Sequence, residues 1–184
     1  PLPERHLHAR FQYAVALNDD CGLSYEPVVA GGDRALTLHY VRNNQPIRAG
    51  ELVLMDAGAN WRGYLSDISR TWPVSGRFSA AQRDVYEAVL EVQVDAIKRC
   101  TQSSGLTDTD LNRLAMRDMQ QQVQRLGLNP SKTHQVRAPS CSFVRPFGSC
   151  SLLSTFRTIL ATCWASISTT RQQAGRSRCA PAWC

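Results

Sequence analysis

Three side chains carry the chemistry this sequence can do: Asp56, Asp67 and His39. Asp56 lies near the end of a Val- and Leu-rich run, 51–57, and Asp67 lies inside the next β-prone run, 64–71. If the two runs pair antiparallel across the 58–63 connection, in which Gly58 and Asn60 suit a turn, both carboxylates can face one pocket. Two carboxylates at bonding distance repel unless a cation or a shared proton separates them. A dinuclear centre resolves that repulsion, since hard oxygen ligands suit Mn²⁺, Co²⁺ or Zn²⁺. The spacing alone is not specific, because two strand-end acids with no common role would read the same way. His39 falls in a further β-prone run, 36–41, where a histidine can hydrogen-bond a substrate or simply pack.

The elements that must position these residues read as ordinary α+β sequence. Leu7, Phe11, Ala14 and Val15 form a helical stripe that ends near the breaker cluster 18–22. A short strand is expected over 27–30, and Pro46 and Gly50 punctuate the chain before the run that carries Asp56. Ser79 with Gln82, three residues later, is a capping-box pattern. Behind it Val85, Val89, Val92, Ala96 and Ile97 trace an apolar face. Thr107 with Asp110 repeats the signal for a second helix, with Leu111, Leu114, Met119, Val123 and Leu126 on one face and Gly127 as its stop. Trp61 and Trp72 read as packing residues, and His6, His8 and His134 as surface residues.

Charge and cysteine divide the 184 residues into two unlike parts. The formal net charge is +6, yet beyond Leu128 there is no Asp or Glu, only Lys132, Arg137, Arg145, Arg157, Arg171, Arg176 and Arg178. The body over 1–128 is therefore nearly neutral and does not have the footprint of a nucleic-acid binder. Cys21 and Cys100 are scattered in the body and read as reduced thiols, whereas five cysteines crowd the tail. The tail, 129–184, is basic and rich in Ser and Cys, has no sustained period, and is expected to be disordered. No apolar stretch approaches the roughly 18–20 residues that span a bilayer, so no membrane association is expected. The chain opens on Pro1, which leads us to expect that an upstream stretch, with any targeting signal, is missing.

The stretches Val28-Val29-Ala30-Gly31-Gly32, Thr37-Leu38-His39-Tyr40, Leu54-Met55-Asp56-Ala57-Gly58 and Tyr64-Leu65-Ser66-Asp67-Ile68-Ser69-Arg70-Thr71-Trp72-Pro73 closely resemble Xaa-Pro aminopeptidase (aminopeptidase P). That family belongs to the pita-bread metallopeptidases. Val41-Arg42-Asn43-Asn44-Gln45 and Arg77-Phe78-Ser79 lean toward its mitochondrial-type members, and the resemblance runs from about Phe11 to Leu128. It implies a curved antiparallel sheet with outer helices, of which 1–128 is the N-terminal half of the catalytic domain. It makes Asp56 and Asp67 the first two of five ligands to two divalent ions, commonly manganese, with Asp67 bridging the ions and Asp56 chelating one. His39 takes the substrate-side histidine position. The implied reaction is removal of an N-terminal residue preceding proline by a metal-activated hydroxide, on peptides with proline at the second position. Homo-oligomers are implied for full-length members, and the implied location is mitochondrial, with a cytoplasmic pool also compatible. A non-catalytic relative of the same fold that binds protein or nucleic acid is the competing reading. Paired acids, which a binding module does not need, count against it.

The remaining ligands of the family lie in a His-rich string and two glutamates, none of which this chain contains, so it is expected to be inactive alone. Read from the last base of each codon, 156–172 can encode Pro-His-His-x-Gly-His-x-Leu-Gly-x-Asp-x-His-Asp-Thr-Pro, which is that string. The tail is therefore read as a frameshifted gene, an assembly error or a truncating splice form. Half of the curved sheet is then missing, and exposed strand edges and poor solubility are expected.

Overall fold

The computed structural model describes residues 2–128. The whole tail, with His134 and the alternative-frame string, lies outside the described residues. A two-residue strand, β1 (Leu2–Pro3), runs into helix α1 (Glu4–Ala16), and strands β2 (Cys21–Leu23) and β3 (Val28–Gly31) follow. A 3₁₀ turn over Gly32–Leu36 and an irregular stretch lead to β4 (Pro46–Ile47) and β5 (Leu52–Ala57). Then come β6 (Ala59–Trp61), β7 (Tyr64–Leu65) and β8 (Ile68–Pro73), and finally helices α2 (Ala80–Arg99) and α3 (Asp108–Arg125).

Among the described residues all strand pairings are antiparallel. The sheet that matters for the site has the order β3-β5-β8, with β5 central, and a second sheet of order β2-β6-β7 lies beside it in the chain. In the first sheet Leu54 stands opposite Ala30 and Asp56 opposite Val28, so these four residues share one face. Val28, Ala30 and Leu54 are buried there together, with Ala35 and Tyr40 packed on them. The opposite face buries Val29, Val53 and Ile47 under Leu7 of α1, with Met55 and Trp72 alongside. Apolar side chains on both faces explain why β5 reads as a continuous hydrophobic run rather than an alternating one.

The two helices form their own cluster from Ala88, Val89, Val92, Ala96, Leu111, Ala115 and Met119. Both capping boxes are present, on Ser79/Gln82 and Thr107/Asp110. Gln82 also donates to the carbonyl of Gly50 at 3.0 Å, which ties the start of α2 to the loop that enters β5. Among the described residues no helix is long and apolar enough to cross a membrane, and Cys21 and Cys100 are free thiols.

Several sequence expectations are corrected. Residues 36–41 are not a strand: the chain leaves the 3₁₀ turn, and His39 takes a left-handed conformation at φ 54°. The cause lies in distant residues. Glu4, fully buried, accepts hydrogen bonds from Tyr40 Oη and the Gln45 amide, and Asn43 binds the Val29 amide and the Pro27 carbonyl, so the segment is pinned as a loop. The run 64–71 is broken at Ser66–Asp67, and the reversal falls not at Gly58 or Asn60 but at Arg62-Gly63. Both of those residues have positive φ, as a two-residue type I′ hairpin requires. Trp61 is not a packing residue; it is half exposed beneath the Arg62 guanidinium. Ile97 faces solvent rather than the helical cluster, and His8 is half buried, with Nε2 3.5 Å from Glu26.

Candidate metal centre

Asp56 is held on β5, which is paired on both sides. It sits on the central strand between Val28 and Ser69 and is only 3% exposed. Asp67 belongs to the break between β7 and β8, on an exposed part of the chain. Just before Asp67 the chain crosses over Gly58. The Ser66 amide donates to the Ala59 carbonyl, and the Ala59 amide donates to Ser66 Oγ, each at 2.9 Å. Asp67 then follows directly from a backbone locked against the end of β5.

The two carboxylates meet on a third residue, Tyr25. Its hydroxyl lies 2.7 Å from Asp56 Oδ1 and 2.9 Å from Asp67 Oδ1. A phenol has one proton to donate, so a single donor serves two acids whose oxygens cannot be further apart than two hydrogen-bond lengths. Burial first, and then the hydrogen bonds to Asp56 and Asp67, push the Tyr25 phenol far above its ordinary value, so it remains a neutral donor. The structure brings Asp56 and Asp67 together on this hydroxyl, with Asp56 buried and Asp67 exposed. Tyr25 is the residue that sequence reading missed, and no local pattern marks it, because it reaches Asp56 from 31 positions away.

His39 does not join this hydrogen-bonded trio. It stands exposed in the turn after the 3₁₀ segment, and its neighbour Tyr40 packs on the sheet face that carries Asp56. The loop that bears the histidine thus covers the same face as the buried acid, while its own anchor is Glu4. That carboxylate also receives the Gly31 amide at 3.0 Å and Arg34 Nε at 2.6 Å.

Two carboxylates gathered on one hydroxyl offer hard oxygen ligands of the kind a divalent cation takes. They fall short in number: among the described residues, no group of three or more His, Cys, Asp or Glu side chains converges where a metal ion could sit. The described residues therefore bring together two such donors and no more.

Residues 2–140 match Metallopeptidase family M24. The chain belongs to that family. This M24 chain is 50% identical over 106 residues to Xaa-Pro aminopeptidase 3 of Homo sapiens, which covers 58% of the chain and 21% of the relative. It is 35% identical over 136 residues to Intermediate cleaving peptidase 55, mitochondrial, of Arabidopsis thaliana, covering 73% of the chain and 27% of the relative. Among solved structures it resembles Icp55 from Saccharomyces cerevisiae bound to the apstatin inhibitor. That match has 42% identity and a TM-score of 0.65 and covers 68% of the chain and 31% of that structure. The M24 chain thus has part of the pita-bread fold of aminopeptidases and spans between a fifth and a third of the length of these relatives.

Proposed function

We propose that this chain is the opening part of a Xaa-Pro aminopeptidase, an enzyme that removes the N-terminal residue of peptides with proline at the second position. The observation that carries the reading is the convergence of Asp56 and Asp67 on one phenol oxygen, within the M24 match. In this reading Asp56 and Asp67 are the residues of this chain that hold divalent ions, manganese by preference. When bound, such ions supply a water of lowered pKa for amide hydrolysis. The chain's own residues do the rest. Tyr25 links the two acids through its hydroxyl. His39, on its exposed turn, is available to hydrogen-bond the substrate. Two carboxylates are too few to hold two ions tightly, so the chain by itself is inactive.

The wider setting follows the same reading. The name of the Arabidopsis relative supports a mitochondrial location, and the full-length protein is a candidate homo-oligomer with peptide substrates and no need of nucleic acid or membrane. The test is manganese titration and hydrolysis of Xaa-Pro peptides, run on this chain and on a version with the alternative reading frame restored over the tail. Hydrolysis by the restored version alone is the expected result. Full metal loading without hydrolysis would instead favour a non-catalytic binding module, and stop codons in the alternative frame would end the frameshift account of the tail.

A further inference from the structure

Gly58 stands where three segments of the chain meet. Its carbonyl accepts the Ser24 amide at 2.9 Å, and the Ser66 backbone passes directly against its α-carbon. A Cβ built on Gly58 would lie 1.8 Å from the Ser66 carbonyl oxygen, 2.7 Å from the Ser66 carbonyl carbon and 3.1 Å from Ser24 Oγ. The first two contacts are with backbone, which cannot swing aside as a side-chain tip can, so any residue with a Cβ must push the peptide that links Ser66 to Asp67 away from β5. Gly58 has no positive φ; what this position needs is the missing side chain, not conformational freedom. The displaced peptide is the one that carries Asp67, and Ser24 leads directly into Tyr25. The crossing therefore controls both partners that reach Asp56.

We infer that Gly58 is a positioning residue for the acid pair: the close approach of the Ser66 backbone to its bare α-carbon seats Asp67 on the Tyr25 hydroxyl, opposite Asp56. The functional weight of this inference rests on the aminopeptidase reading, but the geometry it asserts does not.

The test reads that geometry directly, on the full chain, with no metal and no peptide present. A phenol proton held against two carboxylates exchanges slowly and resonates far downfield in the proton NMR spectrum, and Tyr25→Phe identifies the signal by its loss. Gly58→Ala is expected to abolish the signal. Gly63→Ala is the comparison, since Gly63 has φ 87° and open space around its would-be Cβ. That variant strains the hairpin without filling the crossing, and it is expected to melt lower while keeping the signal. Ser66→Ala removes the hydroxyl but leaves the backbone crossing, and should also keep it. A folded Gly58→Ala chain that retains the signal overturns the inference, as does loss of the signal in Gly63→Ala. If Gly58→Ala does not fold, Ser66→Ala decides: retention upholds the backbone crossing, and loss assigns the positioning to the serine hydroxyl and overturns it. Failure of the hydrolysis test above would leave this result untouched.

Discussion

Arg34 Nε lies 2.6 Å from Oε1 of Glu4, a carboxylate that is fully buried at the start of α1. The pair joins the first helix to the 3₁₀ turn, and the same carboxylate also gathers the amides of Gly31 and Gln45 and the hydroxyl of Tyr40. A buried charge is tolerated only when its acceptor positions are filled, and here four donors fill them. Glu4→Ala strands all four and is expected to cost about 3–5 kcal/mol, seen as a large drop in the urea midpoint. Arg34→Ala should cost less, because Glu4 keeps its two backbone donors and Tyr40. An equal loss in both variants would mean that the ion pair, not the whole network, sets the stability.

Tyr25 gives the stability of the chain a dependence on alkaline pH with a definite sign. Its phenol is held above the ordinary value by burial and by Asp56 and Asp67, so the folded state keeps a proton that the unfolded state gives up. The stabilisation is complete below the unfolded phenol value of about 10 and is lost as the pH climbs above it toward the raised folded value. Chemical denaturation across this range should show the wild type losing stability faster than Tyr25→Phe. Parallel curves would remove the phenol from the balance.

Asn43 acts as a substitute strand on the outer edge of β3. Its side chain is buried, accepting the Val29 amide at 2.8 Å and donating to the Pro27 carbonyl at 2.7 Å, and its φ of 46° is one that asparagine tolerates. Asn43→Gly keeps the backbone relaxed but loses both bonds, at an expected cost of roughly 1–3 kcal/mol. Asn43→Ala adds the left-handed strain, a further 1–2 kcal/mol or so. Thermal melts of the two variants should fall in that order; a reversed order would place the cost elsewhere.

The free side of β8 sets the solution behaviour. Among the described residues β8 pairs with β5 on one side and with no strand on the other, and Ile68 at its start is half exposed. An unpaired edge of this kind recruits another strand. Concentration-dependent self-association is expected in analytical ultracentrifugation, and a monodisperse chain that melts cooperatively would count against it.

What the sequence made legible is what local chemistry decides. The capping boxes at Ser79 and Thr107 are three-residue patterns that need no partner, and the strand around Asp56 is a continuous apolar run with the composition of a buried strand. The run 36–41 misleads because its own residues favour extension. The decision against a strand is made by Glu4 and Asn43 acting across the fold, and no window along the chain contains both sides of that bargain. The break at Ser66–Asp67 is hidden for the same reason, since only the approach to Gly58 shows that the backbone must turn aside there. The acid pair was legible as two acids, and Tyr25 between them was not.

The unequal anchoring of Asp56 and Asp67 has a consequence for the order of events as the chain folds. Asp56 owes its place to the pairing of β3, β5 and β8, whereas Asp67 owes its place to the β6–β7 hairpin and its crossing of Gly58. Contacts between distant segments form after local ones, because they carry the larger loop-closure entropy. Neither the sheet nor the hairpin alone creates the paired carboxylates. Their meeting depends on Tyr25, which reaches Asp56 across 31 positions and Asp67 across 42, so the assembled trio is expected to form after the two-residue hairpin.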